Sequence, residues 1–309
     1  MRSIVTGGAG FIGSHLTDYL VKAGDDVIVI DSLISGDINN ISKHIDTGKV
    51  RLISADLLSD GWQNYLAGVD RLYHLAADPD VRESSVNPDK QLNNTIIATH
   101  RVLEAMRQWN VPEIVFTSTS TVYGQATQIP TPENYTPLEP ISIYGAAKLA
   151  CEALISAYSH SFEKRSWIFR FSNIIGPGSG HGVITDFIRK LKENPKNLEI
   201  LGDGTQTKSY LEVSECIRAF MYAVSHSDEI VNTYNVGSED WICVTDIADI
   251  ISKEMGLSPE YNYTGGNRGW IGDVPKMQLD ISHLKALGYS PAITSRESVQ
   301  SAVRSALTE

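Results

Sequence analysis

A glycine-rich turn set between two apolar runs opens this chain, and few folds admit that order. SIVTGGAGFIGSHL, from Ser3 to Leu16, carries β-branched residues ahead of Gly7 and helical spacing (Leu16, Tyr19, Leu20) behind Gly13. Gly24 supplies the stop expected just past a helix end, and DVIVID follows as a second strand. The alternation continues through VRLISADL, DRLYHLAA, a helix from Thr95 to Trp109, and EIVFTST. Such a sequence predicts the α/β class, a parallel sheet with helices on both faces. Past RFSNIIGPGSG the pattern loosens, with Gly and Pro clustered at 176–182, 194–204 and 265–275. A boundary near residue 173 is expected, giving an N-terminal unit over 1–173 and a smaller lobe over 174–309 from which some segments return to the sheet.

Gly7, Gly10 and Gly13 stand where a missing Cβ lets backbone amides approach a pyrophosphate at a helix N-terminus. In a strand, turn, helix, strand context this is the Rossmann arrangement, a doubly wound sheet that binds a dinucleotide. The second strand ends in Asp31, whose carboxylate accepts the two ribose hydroxyls of adenosine and repels a 2′-phosphate. No Lys or Arg occurs in the following SLISG, so NAD is expected over NADP. Further cofactor candidates are Phe11 and Ile12 within the turn, and Ser32, Ser35 and Gly36 after Asp31. Asp56 and Leu57 at the end of the third strand, and Leu75, Ala76 and Ala77 at the end of the fourth, complete that set. The bland alternative is a tight glycine turn beside an ordinary surface acid.

In ISIYGAAKLACEALISAY, Tyr144 and Lys148 are four residues apart at the start of a helix, so their side chains point the same way. An ammonium nearby favours phenolate, which suits Tyr144 as a base for an alcohol proton. The same pair is compatible with a plain amphipathic helix.

Lys and Arg total 26 against 37 Asp and Glu, a net charge of −11 that disfavours nucleic acid as a partner. No apolar run approaches the ~20 residues that span a bilayer. The opening MRSIVTGG leaves no room for a signal-peptide core, so a cytoplasmic location is expected. Cys151, Cys216 and Cys243 fit neither a disulfide framework nor a metal pattern, and are read as buried small hydrophobes.

The chain resembles the extended short-chain dehydrogenase/reductases, and among them the nucleotide-sugar epimerases. The likeness runs through TGGAGFIGSH, HLAADPDVRES, FTSTSTVYG, YGAAK, RFSNIIGP, GDGTQTKSYLEV, YNVGS and RGWIGDVP. It implies a tightly held NAD, oxidation at carbon 4 of a UDP-hexose, a rotating 4-keto sugar and return of hydrogen to the other face. Tyr144, Lys148 and Thr119 would then be the catalytic residues. Thr119 takes the position of a family Ser, and Ser118 beside it is a structural or cofactor contact. Strand alternation would put Thr117, Thr119 and Thr121 on one side, with Ser118 and Ser120 on the other.

Related dehydratases place Asp and Glu where Ser120 and Thr121 stand, and related decarboxylases place Glu at the latter position. The absence of those carboxylates leaves reversible oxidation. By resemblance, Thr95 or the adjacent Asn94 lies near the cofactor, while Asn173 and Lys208 contact the diphosphate and Val183 belongs to the segment lining the uracil. Arg268 is a stronger anchor candidate than Lys208, with Asp273 in the same motif, and Tyr210 packs beside the diphosphate. Arg82 and Ser84 contact the sugar, and Met277 gates N-acetylated sugars. The expected activity is a UDP-glucose/UDP-galactose 4-epimerase. UDP-N-acetylglucosamine or UDP-glucuronate as substrate, and a non-catalytic NAD sensor, stay open. A homodimer formed through the helices near Thr95 and Tyr144 is expected from the resemblance.

Overall fold

The computed structural model describes residues 1–81, 83–269 and 272–308. Strands β1 (Arg2–Thr6), β2 (Asp26–Asp31), β3 (Val50–Ser54), β4 (Arg71–His74), β5 (Glu113–Thr119) and β6 (Arg165–Phe171) come first. They are followed by β7 (Asn173–Ile175), β8 (Asn197–Ile200), β9 (Thr207–Lys208), β10 (Tyr210–Glu212) and β11 (Val231–Val236). The last are β12 (Ile242–Cys243), β13 (Glu260–Tyr263) and β14 (Lys276–Met277). Seven of them form one sheet in the order β11-β6-β5-β4-β1-β2-β3. Every pairing in it is parallel.

Helices cover both faces, which is why these strands are apolar nearly throughout. Val5, Val27, Val29, Val115, Trp167 and Phe169 point to one face, where they meet Leu16 and Leu20 of α1 (Phe11–Lys22). Their neighbours Ile4, Ile28, Ile30, Ile114, Phe116 and Ile168 point to the other. The short helices α2 (Ser42–Asp46) and α3 (Pro88–Gln91) precede α4 (Ala98–Gln108) and α5 (Ile143–Phe162). The two longer ones bring Val102, Met106, Cys151 and Ile155 onto that second face. The helix expected from Thr95 proves to continue α3 through a π-helical turn over Leu92–Ile97, so Thr95 lies inside widened backbone.

The chain beyond residue 173 serves two bodies. α6 (Val183–Glu193), α8 (Val244–Glu254) and α10 (Ser295–Thr308) enclose a separate core with Phe187, Leu198, Ile251 and Val303. α7 (Val213–His226) instead joins the sheet layer, with its Cys216, Ile217 and Phe220 in the same core as Leu16 and Phe169. Strand β11 then extends the sheet beside β6. Short α9 (Ser282–Ala286) buries Leu284 in that layer as well. Cys151 and Cys216 are buried as expected, whereas Cys243 is half-buried and accepts from the Asp246 amide at the start of α8.

Strand order reverses between β1 and β4, so a crevice opens outside their carboxyl ends. The loops carrying Gly7, Leu75 and Ser120 all leave the sheet on that side. Phe220, fully buried, stacks near Phe169 at 5.3 Å and Phe171 at 6.0 Å between ring centroids. Phe220→Ala is therefore expected to cost about 3–5 kcal/mol while leaving one cooperative transition. Denaturant melts followed by probes in each half check this, and two separated transitions would disprove the shared core.

Candidate active site

The glycine turn is shaped by collisions that any side chain would cause. A Cβ on Gly7, whose φ is +71°, would lie 2.7 Å from the Ala76 nitrogen, and one on Gly13 would lie 2.0 Å from the Gly7 oxygen. Gly10 starts α1 without a side-chain cap, so the first amides of that helix face the crevice with no internal acceptor. Leu75 donates to the Thr6 oxygen at 3.1 Å, holding the Leu75–Ala77 segment across the crevice from the turn. This cradle, backbone donors with no Cβ in the way, fits a dinucleotide pyrophosphate.

Asp31 ends β2 at the crevice edge, buried, accepting from Ala9 N at 2.9 Å and Leu33 N at 2.8 Å. A Cβ on Gly36 would stand 2.9 Å from its Oδ1, so that glycine keeps the carboxylate uncovered. Ser32 and Ser35 are exposed just beyond. The third strand contributes less than expected. Asp56 uses one oxygen on the Leu58 amide at 2.8 Å, and Leu57 is buried in the core with Trp62.

The hydroxyl run divides in two. β5 stops at Thr119 and a 3₁₀ turn spans Ser120–Tyr123, so strand alternation does not reach Thr121. Thr121 curls back, and both its amide and its hydroxyl donate to Thr119 Oγ1 at 3.2 Å. Ser142 caps α5 by accepting from Gly145 N at 3.1 Å, which sets Tyr144 in the first turn and Lys148 one turn on. Gly145 permits this approach, since a Cβ there would lie 2.8 Å from the Thr121 oxygen.

Burial pushes the pKa of the Tyr144 phenol up to about 12, and the Thr119 hydroxyl beside it pulls the other way. Lys148 is buried at 3% exposure and its Nζ donates to the Thr117 oxygen at 2.8 Å. Its ammonium stands 4.7 Å from the Phe116 ring centre and 6.0 Å from that of Tyr144. Burial lowers its pKa to about 8. Among the described residues it makes no ion pair, so the remaining donors face the crevice without a protein acceptor.

A cavity of about 140 Å³ adjoins this group, lined by Ser120, Thr121, Asn173, Lys208, Asp273 and Met277 among others. Lys208 Nζ donates to Asp273, whose other oxygen accepts from Gly269 N at 3.0 Å. Tyr210 pairs with Asn173 across β10 and β7 and is buried, which raises its pKa, with the Asp273 charge adding to the shift. Arg268 is exposed and makes no ion pair among the described residues. Val183 packs against the separate core of the C-terminal lobe. Ser84 is buried, and its hydroxyl donates to the Val81 oxygen at 2.6 Å. Thr95 donates to Gln91 Oε1 at 3.0 Å, and its oxygen receives Thr99. Arg82 lies outside the described residues. A larger cavity of about 590 Å³ lies on the outer side of α4, beside Asp60, His100 and Trp109, and contains none of these groups.

Sequence reading missed a buried ionic cluster below Lys148. Ser118, on the structural side of its two expected roles, donates its hydroxyl to Glu152. Arg170 forks onto the same carboxylate at 2.7 to 3.2 Å. Its signal was slight: a Glu four residues after Lys148 and an Arg in RFSN.

The model of the NAD dependent epimerase/dehydratase family matches residues 3–237. The chain belongs to this family. A Methanocaldococcus jannaschii protein, provisionally named a UDP-glucose 4-epimerase, is 34% identical over 97% of this chain and 96% of its own length. A crystal structure of a UDP-galactose 4-epimerase superposes with a TM-score of 0.90 at 41% identity, covering 100% of this chain and 99% of that one. A UDP-glucuronic acid 4-epimerase from Bacillus cereus, solved with UDP-glucuronic acid and NAD, gives 0.91 at 30% identity over 100% and 99%. NAD is thus the cofactor, and the glycine cradle, Asp31 and the free face of Lys148 are the residues that fit it.

Keeping Lys148 charged inside the protein is costly. With its pKa near 8 in the fold and 10.5 when unfolded, the unfolded chain binds the proton more tightly, so folding is penalised by about 3 kcal/mol below pH 8. Lys148→Met is expected to raise the stability of the NAD-free protein by about that amount at pH 7. The gain should shrink as pH rises from 8 to 10.5, where wild type sheds the proton. Melts at pH 7 and pH 10 decide it, and equal stability of the two proteins at pH 7 would contradict the assignment.

Proposed function

We propose that the chain is a UDP-hexose 4-epimerase that interconverts UDP-glucose and UDP-galactose through a 4-keto sugar. The observation that carries this reading is the placement of Thr119 beside Tyr144 and an unpaired Lys148, next to a cavity whose wall offers Ser120 and Thr121. Elimination of water or carbon dioxide needs an added acid or base on the sugar, and both positions here carry neutral hydroxyls. Among the described lining residues the only carboxylate is Asp273, and Lys208 neutralises it.

Bound NAD supplies the reversible two-electron acceptor for the carbon-4 alcohol. The chain's residues manage the proton. A threonine hydroxyl has one donor and two acceptor positions, and Thr121 now occupies both acceptors of Thr119. The Thr119 hydrogen is left to point toward Tyr144. The amide of Thr121 is fixed but its hydroxyl rotates, so the sugar's 4-hydroxyl takes the place of that hydroxyl as second donor.

Proton flow then runs from sugar oxygen through Thr119 to Tyr144, and back when the ketone is reduced. With Tyr144 at about 12, full ionisation at neutral pH would need about 7 kcal/mol of further stabilisation. A neutral phenol cannot take up that proton, so the acting form is the phenolate, and the ammonium of Lys148 together with the positive charge of bound NAD would supply the stabilisation that favours it. At the other end of the substrate, Arg268 is available for the diphosphate, while Lys208 must first exchange Asp273 for phosphate.

Purified protein incubated with UDP-glucose, UDP-galactose, UDP-N-acetylglucosamine and UDP-glucuronate should interconvert the first two. Conversion restricted to either of the others would reassign the sugar, and release of carbon dioxide or water would end the epimerase reading. Tyr144→Phe should keep its NAD and lose about 10²- to 10⁴-fold in turnover, with Thr119→Val impaired in the same direction.

We also infer a homodimer. Leu92 and Ile97 are exposed by 48% and 39% in the π turn and Phe162 by 42% at the end of α5, apolar surface that a second copy would cover. Light scattering on the eluted protein should give twice the chain mass, and Ile97→Glu should give one chain mass. A monomeric wild type would remove this part.

A further inference from the structure

Glu152 follows Lys148 by one helical turn, and both side chains are buried, at 5% and 3% exposure. An acid and a base so placed on a helix normally pair with each other. Here they do not: no Lys148–Glu152 contact occurs among the ion pairs of the described residues, and Lys148 reaches the Thr117 oxygen instead. The reason is that the carboxylate is already saturated. Ser118 and Arg170 stand opposite each other in the β5–β6 register, so both side chains emerge toward α5 together. Ser118 donates to Oε1, Arg170 Nε donates to both oxygens, and Arg170 Nη2 donates to Oε2 at 2.7 Å.

Arg170 itself cannot swing away. Its Nη1 donates to the Tyr123 hydroxyl and to the Glu133 oxygen, both at 3.0 Å. Tyr123 in turn donates to Asn235 Oδ1 at 2.7 Å, and Asn235 Nδ2 is anchored on the Thr131 and Asp280 oxygens at 2.9 Å. The clamp thus spans β6, the turn after β5, and β11.

We propose that Arg170 is a positioning residue, which holds Glu152 away from Lys148 so that the ammonium stays free for Tyr144 and the cofactor ribose. This rests on the proton-handling role given to Tyr144 and Lys148 above. Without Arg170, a buried carboxylate one turn away captures the lysine and draws it from the crevice. The other titratable groups around the pair are Cys151 on α5, His74 at the end of β4, which faces Lys148, and Asp78 after β4, which faces Tyr144. From β5 the lysine meets only a carbonyl and the Phe116 ring. None of these changes in the variants below.

The test follows Lys148 itself, by carbon NMR of lysine-labelled holoenzyme, with the resonance identified by its loss in Lys148→Met. Arg170→Gln should raise the Lys148 midpoint by about one pH unit or more, and Glu152→Gln should lower it. The double variant Glu152→Gln/Arg170→Gln should return it close to wild type, because the charge around Lys148 is restored. Turnover should fall roughly tenfold or more in Arg170→Gln with NAD retained, and recover in the double variant. A merely structural clamp predicts the reverse, a double variant worse than either single one and no directed shift of the midpoint.

Unmoved midpoints in the single variants, or a double variant displaced beyond Arg170→Gln, would overturn the proposal. If Arg170→Gln does not fold, Glu152→Gln still decides, since a Lys148 indifferent to Glu152 needs no protection from it. The titration requires no sugar. A wild type that epimerises nothing yet shows these opposed shifts would remove the functional reading and leave the clamp standing.

Discussion

A lysine ammonium buried without a counter-ion is the constraint around which this molecule is arranged. Desolvation favours neutral Lys148, and a single carbonyl hydrogen bond does not make up the loss. The fold tolerates the charge because its surroundings are rigid. Thr117, which receives it, lies in a central strand with β4 on one side and β6 on the other. Phe116 offers the face of its ring from the same strand. The natural partner, Glu152, is engaged elsewhere. An ammonium kept in this state has donors to spare, and such unsatisfied capacity is useful only where a ligand arrives to accept it.

The parallel sheet explains why the required groups meet at all. Its pairings put the carboxyl ends of β1, β2, β4 and β5 along one rim, so Gly7, Asp31, Leu75 and Thr119 fall on a line although they span more than a third of the chain. A buried histidine steadies the centre of that rim. His74 joins Thr6 Oγ1 at 2.7 Å to Thr99 Oγ1 at 2.9 Å, and desolvation lowers its pKa to about 3, so it stays neutral across the physiological range. It therefore bonds to both neighbours without adding charge beside Lys148.

Much of this was legible from residues close together in the chain. Gly7 and Gly13 declare themselves because a Cβ at either would strike backbone, and Asp31 because it closes an apolar run just where a ribose would lie. Helical spacing puts Tyr144 and Lys148 on one face, while their role came from the resemblance, since the spacing alone also fits a plain amphipathic helix. What was not legible depends on register or on a change of local geometry. Whether Thr121 continues a strand or curls back onto Thr119 is decided by where β5 ends, since a run of threonines and serines is compatible with both. Arg170 reaches Glu152 only because β6 aligns it with Ser118, and no pattern within either segment encodes that alignment. Leu57 reads as a strand-end residue at the rim, yet the turn that follows directs it inward against Trp62.

The phosphate end of the cavity obeys a different logic, set by the net charge of −11. Under the proposed function, this acidic protein would have to hold a doubly charged diphosphate without long-range attraction, so the cations at the site would act at contact distance. Lys208 is one of them, and it is already held by Asp273. Under the proposed function, binding at this point would be an exchange in which phosphate replaces a carboxylate at the ammonium, with a net gain equal to the difference between two ion pairs. An arginine there would present a fork able to keep both partners, which a lysine's point charge serves less well. Asp273 also accepts from the Gly269 amide at 3.0 Å, so the carboxylate has a second partner besides Lys208. β14 pairs directly with β9, which places Met277 beside Lys208 at the cavity wall.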